Sequence, residues 1–260
     1  MNGKWPNRSL IVAILLVALS SIGVRVEAGL FGFGGDSWQE EVLLHDGSKI
    51  VITRSQTYGG SHEIGQPPPI KEHTVTFTLP NTDKTISWTS EYGEDIGRTN
   101  FHLLAVHVLN GTPYIVAEPN LCLSYNKWGR PNPPYVFFKY DGTAWQRIPL
   151  EGLPTQFTTM NVVLGLSRQF VDAMVKQGIV PVEQIQKQNS QLSQLEYRSL
   201  LREAYPGAAG QCSEMIRTKD GWEGLGFFMH QPSYDACSKY CKRKGVSQQN
   251  CPCETFFKRN

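Results

Sequence analysis

The chain has 260 residues, 40% hydrophobic and 18% charged, with 24 glycines, 16 prolines and six cysteines. Its formal net charge is +2, and the charges on Lys4, Arg8, Arg25 and Glu27 near the start account for that excess. The remainder is neutral, which excludes the basic surface that holds nucleic-acid phosphates through Lys and Arg.

Residues 1–28 read as a secretory signal: Lys4 and Arg8, an apolar run from Leu10 to about Val24, then Val26-Glu27-Ala28. About fifteen apolar residues at ~1.5 Å each make a helix of about 22 Å, short of the ~30 Å needed to span a bilayer. Cleavage is expected after Ala28, leaving no membrane anchor. The following GLFGFGG imitates a nucleotide loop, but it succeeds a signal instead of a strand and reads as a flexible start.

Residues 29–165 are expected to form an antiparallel β domain. Four segments pair a β-rich run with a second across a turn. They are EVLLHDGSKIVITRS at Asp46-Gly47, TVTFTLPNTDKTISWTS around Asn81, LLAVHVLNGTPYIVA at Asn110-Gly111 and YVFFKYDGTAWQRIPL at Asp141-Gly142. Asn-Gly and Asp-Gly supply the positive φ that tight hairpins require. Four hairpins give about eight strands, which suit a sandwich or small barrel; a propeller needs more. In PYVFFKY both alternating rows carry aromatics, as in a strand covered on two sides. His102 and His107 differ in parity, so they share a face only across a bulge.

Three connections exceed what hairpins need. TYGGSHEIGQPPPIKEH contains three consecutive prolines, EYGEDIGRTN is polar and short, and AEPNLCLSYNKWGRPNPPY carries Tyr125, Trp128, Arg130 and Cys122. Tyr125, Trp128 and Arg130 are the binding candidates, since an aromatic pair beside Arg can stack on a sugar or grip a peptide. The alternative is that Trp128 plugs one end of the domain.

Residues 166–205 read as short helices, SRQFVDAMVKQ, PVEQIQKQN and SQLEYRSLLREAY, with NVVLGL before them as a last strand. Ser193 and Glu196 have capping-box spacing, and QIQKQNSQLSQ reads as an exposed face and linker. PGAAGQ leads into a cysteine-rich tail, residues 206–260. There Ser233 is placed to N-cap a helix that Gly245 ends, with Cys237 and Cys241 on one face. Lys242-Arg243-Lys244 suits the last turn of that helix.

An even cysteine count in an exported chain implies disulfides among Cys122, Cys212, Cys237, Cys241, Cys251 and Cys253. Cys251-Pro252-Cys253 is too tight for the usual zinc knuckle, and no metal or cofactor is assigned. The C-x3-C helix followed by x9-C resembles the core of a PAN or apple module. That resemblance implies Cys241 with Cys251, leaving Cys237 for Cys253 or Cys212. EEVLLHDGSKIVITRSQ, HEIGQPPPIKEHTVTFTLP and KWGRPNPPYVFFKYDGTAWQRIPL resemble a family of exported proteobacterial proteins over residues 38–150. The likeness implies export and fold, and carries no catalytic residue.

Catalytic motifs are lacking: Gly165-Leu166-Ser167-Arg168 misses the second glycine of a nucleophile elbow, and neither H-E-x-x-H nor a phosphate loop occurs. His62-Glu63 with His73, and Glu91 with Glu94 and Asp95, are the remaining acid/base groupings. The leading expectation is therefore a periplasmic or secreted, non-enzymatic binding protein for a glycan, peptide or envelope protein. An envelope assembly protein and a hydrolase with a dispersed site are the alternatives.

Overall fold

The computed structural model describes residues 35–206 and 212–257. The expected signal and its cleavage point lie outside the described residues, as do most of GLFGFGG and PGAAGQ. From Gly35 onward the chain is one compact unit, and among the described residues no helix is long and apolar enough to cross a membrane.

All four hairpins form at the expected turns. Strands β1 (Gly35–Leu43), β2 (Lys49–Tyr58), β3 (Ile70–Thr78) and β4 (Thr85–Ser90) supply the first two. The polar connection folds into a two-residue pair, β5 (Tyr92–Gly93) and β6 (Arg98–Thr99). Strands β7 (Phe101–Leu109), β8 (Thr112–Pro119), β9 (Val136–Tyr140) and β10 (Trp145–Ile148) supply the other two. At the β7–β8 turn Asn110 and Gly111 have φ of 50° and 73°, as Asn-Gly turn chemistry requires.

The eight hairpin strands lie in two open sheets, a sandwich rather than a closed barrel. The first runs β11-β1-β2-β3-β4, where β11 (Ile179–Val180) joins β1 in parallel. The second runs β10-β9-β8-β7. The outer face of β3 and β4 is a ladder of exposed Thr and Ser hydroxyl pairs such as Thr76–Ser87. The inner face carries Ile52, Val75, Phe77 and Trp88, all buried. Trp88 meets Phe101 and Phe138 of the second sheet at ring distances of 6.3 and 5.5 Å. The second sheet is covered on its far side too: Phe157 stacks on His107 at 4.3 Å and edges Tyr114. This agrees with the aromatic rows on both faces of β9.

NVVLGL is not a strand; the last strand of the sheet is β11 instead. Residues 161–164 are buried, but side chains satisfy their backbone. Glu40 accepts from Val163 N–H, Arg54 donates to Val163 C=O, and Asn189 bonds both Leu164 N–H and Val162 C=O. With its polar groups answered this way the segment needs no ladder.

Helix α1 (Leu121–Lys127) lies in the third long connection. Helices α2 (Arg168–Gln177) and α3 (Val182–Asn189) form where expected, with Ser167 capping α2. Their apolar faces, Val171, Met174 and Ile185, pack with Trp38, Val163 and Val180. The third expected helix shrinks to α4 (Leu195–Arg198), which has no side-chain cap, so the capping box of Ser193 and Glu196 does not form. Tertiary bonds replace it: Tyr197 donates to Glu118 and Leu200 N–H donates to Thr158 C=O. The glutamine-rich stretch is more than a linker, since Asn189 within it is buried.

The tail has its own small core. A hairpin of β12 (Met215–Thr218) and β13 (Gly221–Gly224) precedes α5 (Gly226–Met229), α6 (Tyr234–Arg243) and α7 (Cys253–Phe256). Ser233 caps α6 by accepting from Ala236 N–H. Gly245, at φ 70°, lets its own N–H reach Lys242 C=O and Val246 N–H reach Cys241 C=O. Phe228, Cys237, Cys241, Val246 and Cys253 pack together.

Candidate functional site

All six cysteines are paired: Cys122–Cys212, Cys237–Cys253 and Cys241–Cys251. Three disulfides place the folded chain in an oxidising, non-cytosolic environment. Cys237, Cys241 and Cys253 bring their sulfurs within metal-binding distance of one another, but as half-cystines they have no thiolate to offer a metal. Lys244 of the basic triplet pairs with Glu223 and Asp220, tying α6 to the β13 hairpin.

The expected binding trio divides. Tyr125 is buried and forms part of a cavity wall. Trp128 packs on Phe101 at a ring distance of 4.6 Å and donates to Asn100 at 3.3 Å, which makes it the plug of the sandwich end. Arg130 lies over the Tyr125 ring and donates to Asn126 and to Cys212 C=O, anchoring the tail. The acid/base groupings do not assemble. His73 is buried inside the sandwich, whereas His62 and Glu63 are exposed on the loop. Asp95 pairs with Lys127 and Arg217, while Glu91 and Glu94 are exposed. His102 and His107 do face the same way, because a bulge beside Leu104 in β7 restores their parity. They stand in separate surroundings, His102 at the cavity and His107 under Phe157.

The cavity, about 490 Å³, opens at one end of the sandwich. There the inward rows of the first sheet change from apolar to polar: Ile50 and Ile52 give way to Arg54 and Gln56 on β2, Phe77 and Val75 to His73 on β3. Arg54, 2% exposed, donates to Glu40 at 2.8 Å, to Val163 C=O at 2.8 Å and to His73 Nε2 at 3.1 Å. Trp38 completes the cluster, donating to Glu40 at 2.7 Å with its ring 5.1 Å from the guanidinium. Burial draws the Arg54 pKa down and the Glu40 carboxylate opposes this. Accepting from Arg54 requires a neutral His73, whose pKa burial holds well below its usual value.

The opposite wall comes from β7, β8 and α4. Glu118 accepts from the Tyr197 hydroxyl on both oxygens at 2.8 Å. Burial pushes its pKa up to about 7, with the Tyr197 bond opposing and the nearby Glu196 adding to the rise. Glu196 is 7% exposed, and its Oε2 has no hydrogen-bond partner among the described residues. Burial pulls His102 down to about 4. Phe101, Leu103, Leu104 and Leu166 supply apolar wall, and the Cys122–Cys212 disulfide borders the cavity. Chemically this is an apolar chamber with one end rich in acceptors, and Glu118 can exchange a proton near neutrality.

Sequence reading missed Glu40, Arg54, Glu118 and Glu196. Parity held a signal for two: Glu40 alternates with Trp38 and Val42, and Arg54 with Ile50 and Ile52, so both sit in otherwise apolar inward rows. Nothing local marks Glu118 and Glu196, which meet across 78 residues of chain. No family model, curated protein or solved structure matches the chain.

Proposed function

We propose that this chain is an exported binding protein that takes a small amphipathic molecule into the cavity at the polar end of the sandwich. The observation that carries the reading is a chamber with mixed walls, where a buried carboxylate oxygen of Glu196 lacks a partner. Protein interiors rarely leave such a group unanswered, and an enclosed, mostly apolar pocket with a few convergent polar groups is the usual form of a small-ligand site. Export to a periplasmic or extracellular location, and kinship with the exported proteobacterial family, belong to the same proposal; the three disulfides support the export. The site this reading favours is interior, with the exposed Leu121, the half-buried Leu166 and Tyr125 of the aromatic loop in its lining.

Titration with N-phenyl-1-naphthylamine, a neutral apolar fluorophore, tests the site. Saturable binding of one dye per chain is expected, and Leu166→Trp, which adds bulk at a half-buried position lining the cavity, is expected to weaken it about tenfold or more. Dye binding unchanged by Leu166→Trp, in a variant that melts at the wild-type temperature, would sink the cavity as the site.

A further inference from the structure

We propose that the ligand of this cavity is an organic cation, a protonated amine on an apolar body, with its ammonium at the wall formed by Glu118 and Glu196. The proposal rests on the cavity being the binding site and specifies what it takes.

Among the described residues neither Glu118 nor Glu196 forms an ion pair. The cation on the facing sheet, Arg54, is already answered by Glu40, and the neighbouring His73 is neutral. His102, beside Glu118, is also neutral above about pH 4. Tyr197 and Tyr135, also on this side, donate to the Glu118 carboxylate and to the Glu196 backbone carbonyl. Both phenols have raised pKa values and stay protonated. Arg98 acts on His102 through space but pairs with neither carboxyl group, so two carboxyl groups meet in a poorly solvated place without an ion-pair partner among the described residues. An unpaired buried carboxylate takes a proton or finds a cation. In the empty protein a proton fills that role at Glu118 only as pH falls through about 7.

A bare metal ion fits poorly. Among the described residues only Cys237, Cys241 and Cys253 bring three ligand atoms close enough to share one, and those are in disulfides. The chamber is also far larger than an ion, and Phe101, Leu103, Leu104 and Leu166 offer nothing but apolar contact. An ammonium on a hydrocarbon or aromatic body meets both ends: three N–H donors for the carboxylates, and an apolar remainder for the wall.

Three matched probes test this by isothermal titration calorimetry: 2-phenylethylammonium, 2-phenylethanol and 3-phenylpropanoate. At about pH 8 the ammonium is expected to bind about tenfold or more tighter than the alcohol, with the carboxylate weakest. Its advantage should shrink as pH falls through about 7, because Glu118 then carries a proton. Glu196→Gln should weaken the ammonium about tenfold and leave the alcohol unchanged. Glu118→Gln, which keeps an acceptor for Tyr197, should flatten the pH dependence. Equal affinity for ammonium and alcohol, with both lost in Leu166→Trp, overturns the cation and leaves the cavity standing. Ammonium binding that survives Leu166→Trp overturns the cavity reading itself. Failure of all three probes to bind at millimolar concentration also overturns the cation, and the neutral dye then decides the cavity separately.

Discussion

Arg54 is a fully buried cation whose partners are all side by side: Glu40 carboxylate, Val163 carbonyl and His73 Nε2. Removing one member of such a group strands the others, so Arg54→Met is expected to cost about 3–5 kcal/mol in urea unfolding. A simple ion pair would recover when Glu40→Met is added. Here Val163 N–H and C=O would both lose their partners, so the double variant should remain at least ~2 kcal/mol below wild type. Recovery to wild-type stability would show that Val163 needs neither side chain. Residue-level reading of the sequence identified Trp128 as a candidate plug or ligand platform, and its ring packs as the plug. It passed over Arg54, since a lone Arg in a strand normally points to water.

Among the elements, the hairpins and α6 were the most legible, because turn and cap chemistry is local: Asn110-Gly111, Ser233 and Gly245 act on their immediate neighbours. The Ser193–Glu196 box and the NVVLGL strand were misread for the opposite reason. Both segments are held by bonds to distant parts of the chain, Tyr197 to Glu118 and Val163 to Glu40. The tail illustrates an element whose placement depends on few ties. Cys122–Cys212 closes a 90-residue separation, and Trp222 donates to Asp95 C=O while Asn126 bridges to Ser213 and Met215. Replacing both Cys122 and Cys212 by Ser is expected to lower stability by up to about 4.6 kcal/mol on the chain-entropy model. In hydrogen exchange the loss should concentrate at β12, β13 and α1, with α6 still protected by its two other disulfides. Uniform loss of protection through α6 would show that the tail core does not stand by itself.

For the whole molecule, buried histidines set the response to acid. His102 and His107 are pulled to about 4 and His73 well below its normal value, all chiefly by burial. The unfolded chain binds those protons near pH 6.5 and the folded chain does not, so stability is lost as pH falls below about 6.5. Glu118 acts oppositely. Its pKa is raised to about 7, so the folded chain takes a proton first and gains stability between about pH 7 and 4.5. Three groups against one leave acid net destabilising, on the order of 1 kcal/mol per pH unit or more. Glu118→Gln should steepen that fall in urea midpoints measured from about pH 7 to 5. An unchanged slope would place Glu118 in ordinary solvent.

Sequence alone determined the mainly β architecture, its four hairpins, the capped tail helix and the expectation of disulfides, since each follows from spacing, turn residues or cysteine count along a short stretch. It did not determine that the sheets stay open as a sandwich, whether Cys237 meets Cys253 or Cys212, or that a chamber forms between Arg54 on one sheet and Glu118 and Glu196 on the other side. Those depend on pairing between residues far apart in the chain. Only the packing of the two sheets and the segment from Asn161 to Tyr197 brings them within reach, because charge and burial act through space and not along the backbone.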